Sequence, residues 1–307
     1  MNSLEKAIRF AKRFNIIRHH DNIVRMSSIN KILGGLFPHR DPKEDEYVNK
    51  ADGLIYCAKC HTPRQCVIHH GDRIVTPPVM CDCQRIAEEK AEAAFQKRQE
   101  EFRIERMKAS GLQDRYLHDY TFANDKGYNP EIKKAQRYVT EWAMMKESCI
   151  GLLLWGNVGT GKTFIAACIA NALIEKGVSV LMTNFSKILN SLSAMFDVDR
   201  NKFIESFNRY SLLIIDDLGI ERNSEFALEQ VFNVIDSRYR SKKPLIVTTN
   251  LTLDELKHPK DLAHARIYDR VLERCVPLKV NRQNIRQLNA ANTLRSAKKL
   301  FSTEEEV

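Results

Sequence analysis

Eight consecutive residues, Gly156-Asn157-Val158-Gly159-Thr160-Gly161-Lys162-Thr163, fill every fixed position of the pattern G-x-x-x-x-G-K-[ST]. Glycines let backbone N–H groups turn inward around phosphate oxygens, and a helix that begins at the lysine adds positive potential at the same point. Lys162 would then reach the β- and γ-phosphates of a nucleotide, and the Thr163 hydroxyl would ligate Mg²⁺. A chance glycine loop is the alternative, and its flanks would be arbitrary. Here residues 150–155 form a short apolar run of buried-strand type, and residues 164–174 have the spacing of a buried helix. Strand, loop and helix are the context this chemistry needs.

A second chemical group lies downstream. Residues 211–215 are an apolar strand that ends in Asp216-Asp217-Leu218-Gly219. Carboxylates at a strand tip after a phosphate loop can hold Mg²⁺ (Asp216, directly or through water) and orient the attacking water (Asp217). A plain acidic surface turn is the alternative. Residues 244–250 form a further strand ending in Asn250, whose amide can hydrogen-bond a γ-phosphate or the water. Between these strands the pattern predicts another strand over 177–183. Two helices within 185–210, broken near 197–201, and a helix over 225–240 complete the alternation of strands and helices. Residues 265–274 read as a basic helix, and Arg282 and Arg286 follow an apolar stretch.

The third group is cysteine. Cys57-Ala-Lys-Cys60 precedes Cys66 and then Cys81-Asp-Cys83. A C-x-x-C turn brings two thiolates to one tetrahedral zinc, and a second close pair completes the shell. Cys57, Cys60, Cys81 and Cys83 are the predicted Zn²⁺ ligands. Cys66, His61, His69 and His70 are near enough in sequence to replace one, and a redox dithiol is the alternative chemistry. Four thiolates close the coordination shell, so the predicted role is structural. Cys149, Cys168 and Cys275 stand alone in apolar surroundings and read as core.

The chain has 307 residues, a net charge of +9 and a sequence pI of about 9.1. That balance favours a polyanionic partner such as nucleic acid. Residues 2–37 have helical spacing with a basic face, and residues 38–52 read as a loop. The N-terminus lacks the apolar core of a signal peptide, and no stretch approaches the ~20 apolar residues of a membrane span. No membrane association and a cytoplasmic location follow as expectations. Residues 84–108 are rich in Glu, Lys, Arg, Ala and Gln and predict a long exposed helix, ended by Ser110-Gly111. Residues 112–130 read as a loop, followed by a helix over 131–146. The predicted organisation is a helical and zinc-binding module over 1–83, a charged helical linker over 84–110, an α/β nucleotide-binding domain over 111–290 and a charged tail over 291–307.

Over residues 110–290 these motifs resemble the AAA+ ATPases, and more narrowly the DnaC/DnaI helicase loaders and the related IstB transposition ATPases. Residues 156–163, 212–219 and 246–250 and the box Arg266-Ile-Tyr-Asp-Arg270 carry the resemblance. The cysteine-rich module resembles DnaI-type loaders rather than IstB. The resemblance implies a parallel five-stranded sheet with a small helical lid, and assembly into a spiral or ring with ATP at each subunit boundary. It makes Lys162 and Thr163 the nucleotide site, Asp216 and Asp217 Walker B, and Asn250 sensor 1. Arg270 becomes an arginine finger that reaches the neighbour's ATP, and Arg286 falls near the sensor 2 position. An intrachain ion pair of Arg270 with Asp269, Glu273 or Glu255 is the alternative. The helices within 185–210 occupy the insertion that touches single-stranded DNA in initiator-type members, with Lys187, Arg200, Lys202 and Arg209 as phosphate contacts. Many AAA+ proteins carry Glu where Asp217 stands, and the shorter Asp fits a slow switch. The implied function is ATP-dependent loading of a replicative helicase onto single-stranded DNA. A transposition ATPase and a nucleotide-sensing adaptor with negligible hydrolysis are the alternatives.

Overall fold

A computed structural model describes residues 40–70, 73–219, 224–280 and 284–301. The helix expected over residues 2–37 lies outside them. The chain parts into two compact units, Met1–Arg98 and Gln99–Val307.

In the first unit two hairpins frame the cysteines. β1 (Glu46–Val48) pairs antiparallel with β2 (Ile55–Cys57), and β3 (Ile68–His70) with β4 (Arg73–Val75). The strand at Glu46 falls inside the stretch that the sequence reads as a loop. Its polar composition hides it, because Glu46 is held by arginines rather than by apolar packing. The long helix α1 (Asp82–Gly111) begins between Cys81 and Cys83.

The second unit is built on a parallel sheet. Its strands are β5 (Gly151–Trp155), β6 (Val180–Asn184), β7 (Leu212–Leu218), β8 (Leu245–Thr249) and β9 (Cys275–Lys279), in the order β6-β7-β8-β5-β9. Four of these strands are legible as apolar runs. The fifth, β9, is an edge strand interrupted by Pro277, a residue an edge accepts because its missing N–H is not needed on the open side. Successive residues face opposite ways. Leu152, Leu154, Leu212, Ile214 and Ile246 enter one core, with α2 (Ile132–Thr140) and α4 (Lys162–Glu175). Leu153, Leu213, Ile215, Leu245 and Val247 enter the other, with α5 (Phe185–Ser193), α7 (Glu225–Arg240) and α9 (Leu262–Arg274). Both faces are covered, so the strands read as unbroken apolar runs.

Several boundaries differ from expectation. The helix expected over 131–146 is two, α2 and α3 (Trp142–Glu147). The break between α5 and α6 (Asp197–Ser206) falls at residues 194–196, not 197–201. Asp197 and Asp199 are favourable first-turn residues rather than breakers. Residues 291–301, expected as tail, continue α10 (Ile285–Phe301), the helix that follows the sheet. Cys168 and Cys275 are buried as expected, and burial pushes both thiols up to about 12. Cys149 is only half-buried, with φ 55, and its thiol donates to the Lys242 carbonyl at 2.8 Å, so it is not a core residue. No helix among the described residues is long and apolar enough to cross a membrane.

Candidate functional site

The carboxyl ends of β5, β7 and β8 bring the sequence-predicted residues together. The loop between β5 and α4 turns through left-handed backbone at Gly159 and Gly161, with φ of 79 and 97. A side chain at Gly156 would run into the Val280 carbonyl, so only glycine lets β5 and the chain leaving β9 approach so closely. Lys162 opens α4 and folds back into the loop. Its ammonium donates to the carbonyls of Gly156 and Asn157 at 2.9 and 2.8 Å and to Asn250 Oδ1 at 2.7 Å. Burial holds its pKa below the usual lysine value, against the pull of Asp217 and Asp216. Arg286, at the start of α10, lies near enough for its charge to lower Lys162 further.

Thr163 Oγ1 sits 3.0 Å from Asp216 Oδ2. Two neighbouring ligands on an octahedral Mg²⁺, each at 2.0–2.1 Å, stand about 2.9 Å apart. Thr163 Oγ1 here donates a hydrogen bond to Asp216, so the two residues expected to share the ion face one another. Burial raises the Asp216 carboxyl, and the Thr248 and Thr163 hydroxyls draw it back down. Asp217 is in a bulge. The pairing of β7 with β8 slips between Ile215 and Leu218, and Asp217 has φ 60. Aspartate is among the few side chains that accept this conformation readily.

Thr248 holds that arrangement, and the sequence reading did not single it out. Its hydroxyl donates to Asp216 Oδ1 at 2.6 Å and accepts the Asp217 N–H at 2.9 Å. Strand alternation places Thr248 on the same face as Asn250, two residues on, and that signal could have flagged it. Asn129 and Asn284 were also missed. The buried Asn129 donates to the Thr160 carbonyl at 3.2 Å. Asn284 caps α10 by accepting the N–H groups of Arg286 and Gln287, while the N–H of Ile285 donates to the Gly159 carbonyl at 2.9 Å. Both come from sequence-distant loops, where no pattern points to the phosphate loop.

The family described as "IstB-like ATP binding protein" matches residues 84–293. The chain belongs to that family. The replicative helicase loader DnaC of Escherichia coli (strain K12) is 30% identical over 146 residues, which are 46% of this chain and 56% of that one. The replicative helicase loader DnaI of Bacillus subtilis (strain 168) is 28% identical over 147 residues, 44% of this chain and 47% of that one. The chain thus spans about half the length of the curated relatives it matches. A crystal structure of DnaI, 24% identical, covers 56% of this chain and 93% of its own with a TM-score of 0.46.

The family is described as ATP-binding, and the Gly156–Thr163 loop lies within the matched residues. Arg270, by contrast, lies away from the loop of its own chain. It shares a cleft with Cys149 and Leu245, residues at the opposite, entering ends of the strands. Its Nε donates to Asp236 Oδ1 at 2.9 Å, and its guanidinium lies over Phe232 at 4.7 Å. The ion-pair partner is thus Asp236 on α7, not Asp269, Glu273 or Glu255. The four cations expected to meet DNA are each engaged within the chain. Lys187 pairs with Asp114 at 2.6 Å, Arg200 with Asp197 at 2.6 Å and Lys202 with Asp199 at 3.9 Å, while Arg209 lies over Tyr210.

The family match begins one residue after Cys83, so the cysteine cluster lies outside it. The ligand atoms of Cys57, Cys60, Cys81 and Cys83 all lie within 4.8 Å of one another. A tetrahedral zinc with ~2.3 Å bonds needs sulfurs about 3.8 Å apart, so small movements close the shell. Cys66 and His61 are not in the group. Cys60 is brought down to about 5, first by the Thr62 hydroxyl, and Cys83 is pushed up to about 12, first by Cys60. A divalent cation held by Cys57, Cys60, Cys81 and Cys83 would let all four ionise.

Proposed function

We propose that this chain binds ATP and Mg²⁺ in the Gly156–Thr163 loop, hydrolyses ATP slowly, and uses the cycle to load a replicative helicase onto single-stranded DNA. The observation that carries the nucleotide chemistry is the convergence of Lys162, Thr163, Asp216 and Asn250 at the ends of three neighbouring strands. Lys162 exchanges its carbonyl partners for the β/γ-phosphates, Thr163 and Asp216 hold Mg²⁺, and Asp217 orients the water, with Asn250 beside the γ-phosphate. Arg286 approaches the phosphates from α10. Arg270 faces the ATP of the next subunit in a spiral or ring formed in the ATP-bound state. Its position away from its own phosphate loop supports a role in trans.

The loader reading is supported by the similarity to two proteins named replicative helicase loaders. In this reading residues 1–83 carry Zn²⁺ on Cys57, Cys60, Cys81 and Cys83 and grip the helicase. Residues 84–110 link that module to the ATPase of residues 111–290, and the protein works in the cytoplasm. The deciding experiment is co-purification with the replicative helicase of the same cell, in ATP, in ADP and without nucleotide. A complex that changes with nucleotide is expected. Failure to associate in every state would remove the loader reading while leaving the nucleotide site intact.

A further inference from the structure

A zinc ion on four thiolates carries a net charge of −2, and two of these cysteines, Cys57 and Cys81, are 2% and 1% exposed. Buried charge of that size is costly unless neighbouring groups offset it. The segment between the two hairpins supplies two such groups. Thr62 Oγ1 lies 3.0 Å from Cys60 Sγ. The same oxygen accepts the Asp82 N–H at 3.0 Å, which leaves its proton for the sulfur. Arg64 is the other, with its side chain only 10% exposed. Its Nη2 donates to Cys57 Sγ at 3.6 Å.

The carboxylates beside Arg64 do not use up its charge. Nη1 donates to Glu46 at 2.8 Å, but Glu46 also pairs with Arg40 at 2.6 Å, so that single buried carboxylate is shared by two cations. Nη2 meets Asp45 at 2.8 Å, and Asp45 is 62% exposed, where water screens it. We propose that Arg64 is a positioning residue of the metal centre, a buried cation that donates to Cys57 Sγ from behind the ligand shell, offsets the negative charge of the loaded site and so sets its affinity for zinc. The inference rests on the reading of the four cysteines as zinc ligands.

The test uses the purified full-length chain. Zinc content of the wild type is measured first, and its absence would overturn the ligand assignment itself. Zinc affinity is then measured by competition with a chromogenic chelator, and the thiolate-to-metal charge-transfer band is recorded after substitution with cobalt. Arg64→Gln should weaken zinc binding ~10–100-fold, the range for loss of an outer-shell partner. It should also move the cobalt band to lower energy, because the sulfur lone pairs lose a positive neighbour. Arg64→Lys should recover part of both. Asp45→Asn removes the competing carboxylate from the same nitrogen, so affinity should hold or rise. Zinc retained within twofold in Arg64→Gln with an unmoved band would overturn the proposal. So would an Asp45→Asn protein that loses zinc, because the ion pair would then act only as scaffold.

Discussion

Replacing Thr248 by valine keeps the shape of the side chain and removes the hydroxyl that joins Asp216 to Asp217. Thr248 is itself fully buried, while Asp216 and Asp217 are half-buried. The Asp217 N–H loses its acceptor at 2.9 Å, in a stretch that has left the β7–β8 ladder. A buried donor left unpaired costs about 1–3 kcal/mol. Asp216 loses the 2.6 Å bond from the same hydroxyl, and a bond to a charged group contributes about 1.5–3 kcal/mol. Both groups are only half-buried, so the low ends of these ranges apply; together they come to roughly 2.5 kcal/mol, which for a unit of this size lowers Tm by about 5–10 °C. The assay is thermal unfolding without nucleotide, because bound ligand would raise Tm by mass action. Thr248→Ser, which keeps the hydroxyl, is the control and should stay close to wild type. The charge of Asp216 supplies a second readout. Burial raises its pKa and Thr248 lowers it, so Thr248→Val moves the carboxyl further up. Mg²⁺ needs the ionised form, so the acid limb of Mg·ATP binding should shift to higher pH. The stability effect has the opposite sense. A carboxyl raised in the folded state favours folding while protonated, and that contribution is lost as pH rises through its folded value. A Thr248→Val protein that melts within about 2 °C of wild type and binds Mg·ATP with the same pH profile would refute the hydroxyl bridge.

The remaining predictions concern the groups around that bridge. Lys162→Ala should abolish ATP binding in a fluorescent-nucleotide titration, while Asp217→Asn should bind normally and lose hydrolysis, since asparagine also accepts φ 60. Wild-type turnover by Asp217→Asn would move the water-orienting role elsewhere. Arg270→Ala should bind ATP and hydrolyse it poorly, and mixing it with Lys162→Ala on single-stranded DNA should restore part of the activity; mixed assemblies without recovery would place Arg270 in cis, with Asp236. Cys57→Ser or Cys81→Ser should release about one zinc per chain and unfold residues 40–83 by circular dichroism or proteolysis, leaving nucleotide affinity unchanged. Nucleotide binding lost together with zinc would show that the two units do not fold independently.

The phosphate loop, the strand with its two aspartates, and the paired cysteines are decided by the sequence itself. Each depends on residue types at fixed short spacings, and local backbone geometry carries that spacing directly into space. Four strands are equally legible, because a parallel sheet covered on both faces demands unbroken apolar runs. Other features depend on contacts between segments far apart in the chain. Asn250 lies 88 residues beyond the Lys162 ammonium it accepts, and Thr248 bridges the two aspartates of another strand. The left-handed turn at Asp217 follows from a slip in register with β8, which Asp216-Asp217 alone does not encode. Asp236 takes Arg270 because α7 packs on α9, while the acids nearest Arg270 in sequence do not. Polar residues have no periodicity that announces their partners. Arg64 reads as an unremarkable surface arginine until the fold sets it against the Cys57 sulfur and a shared carboxylate.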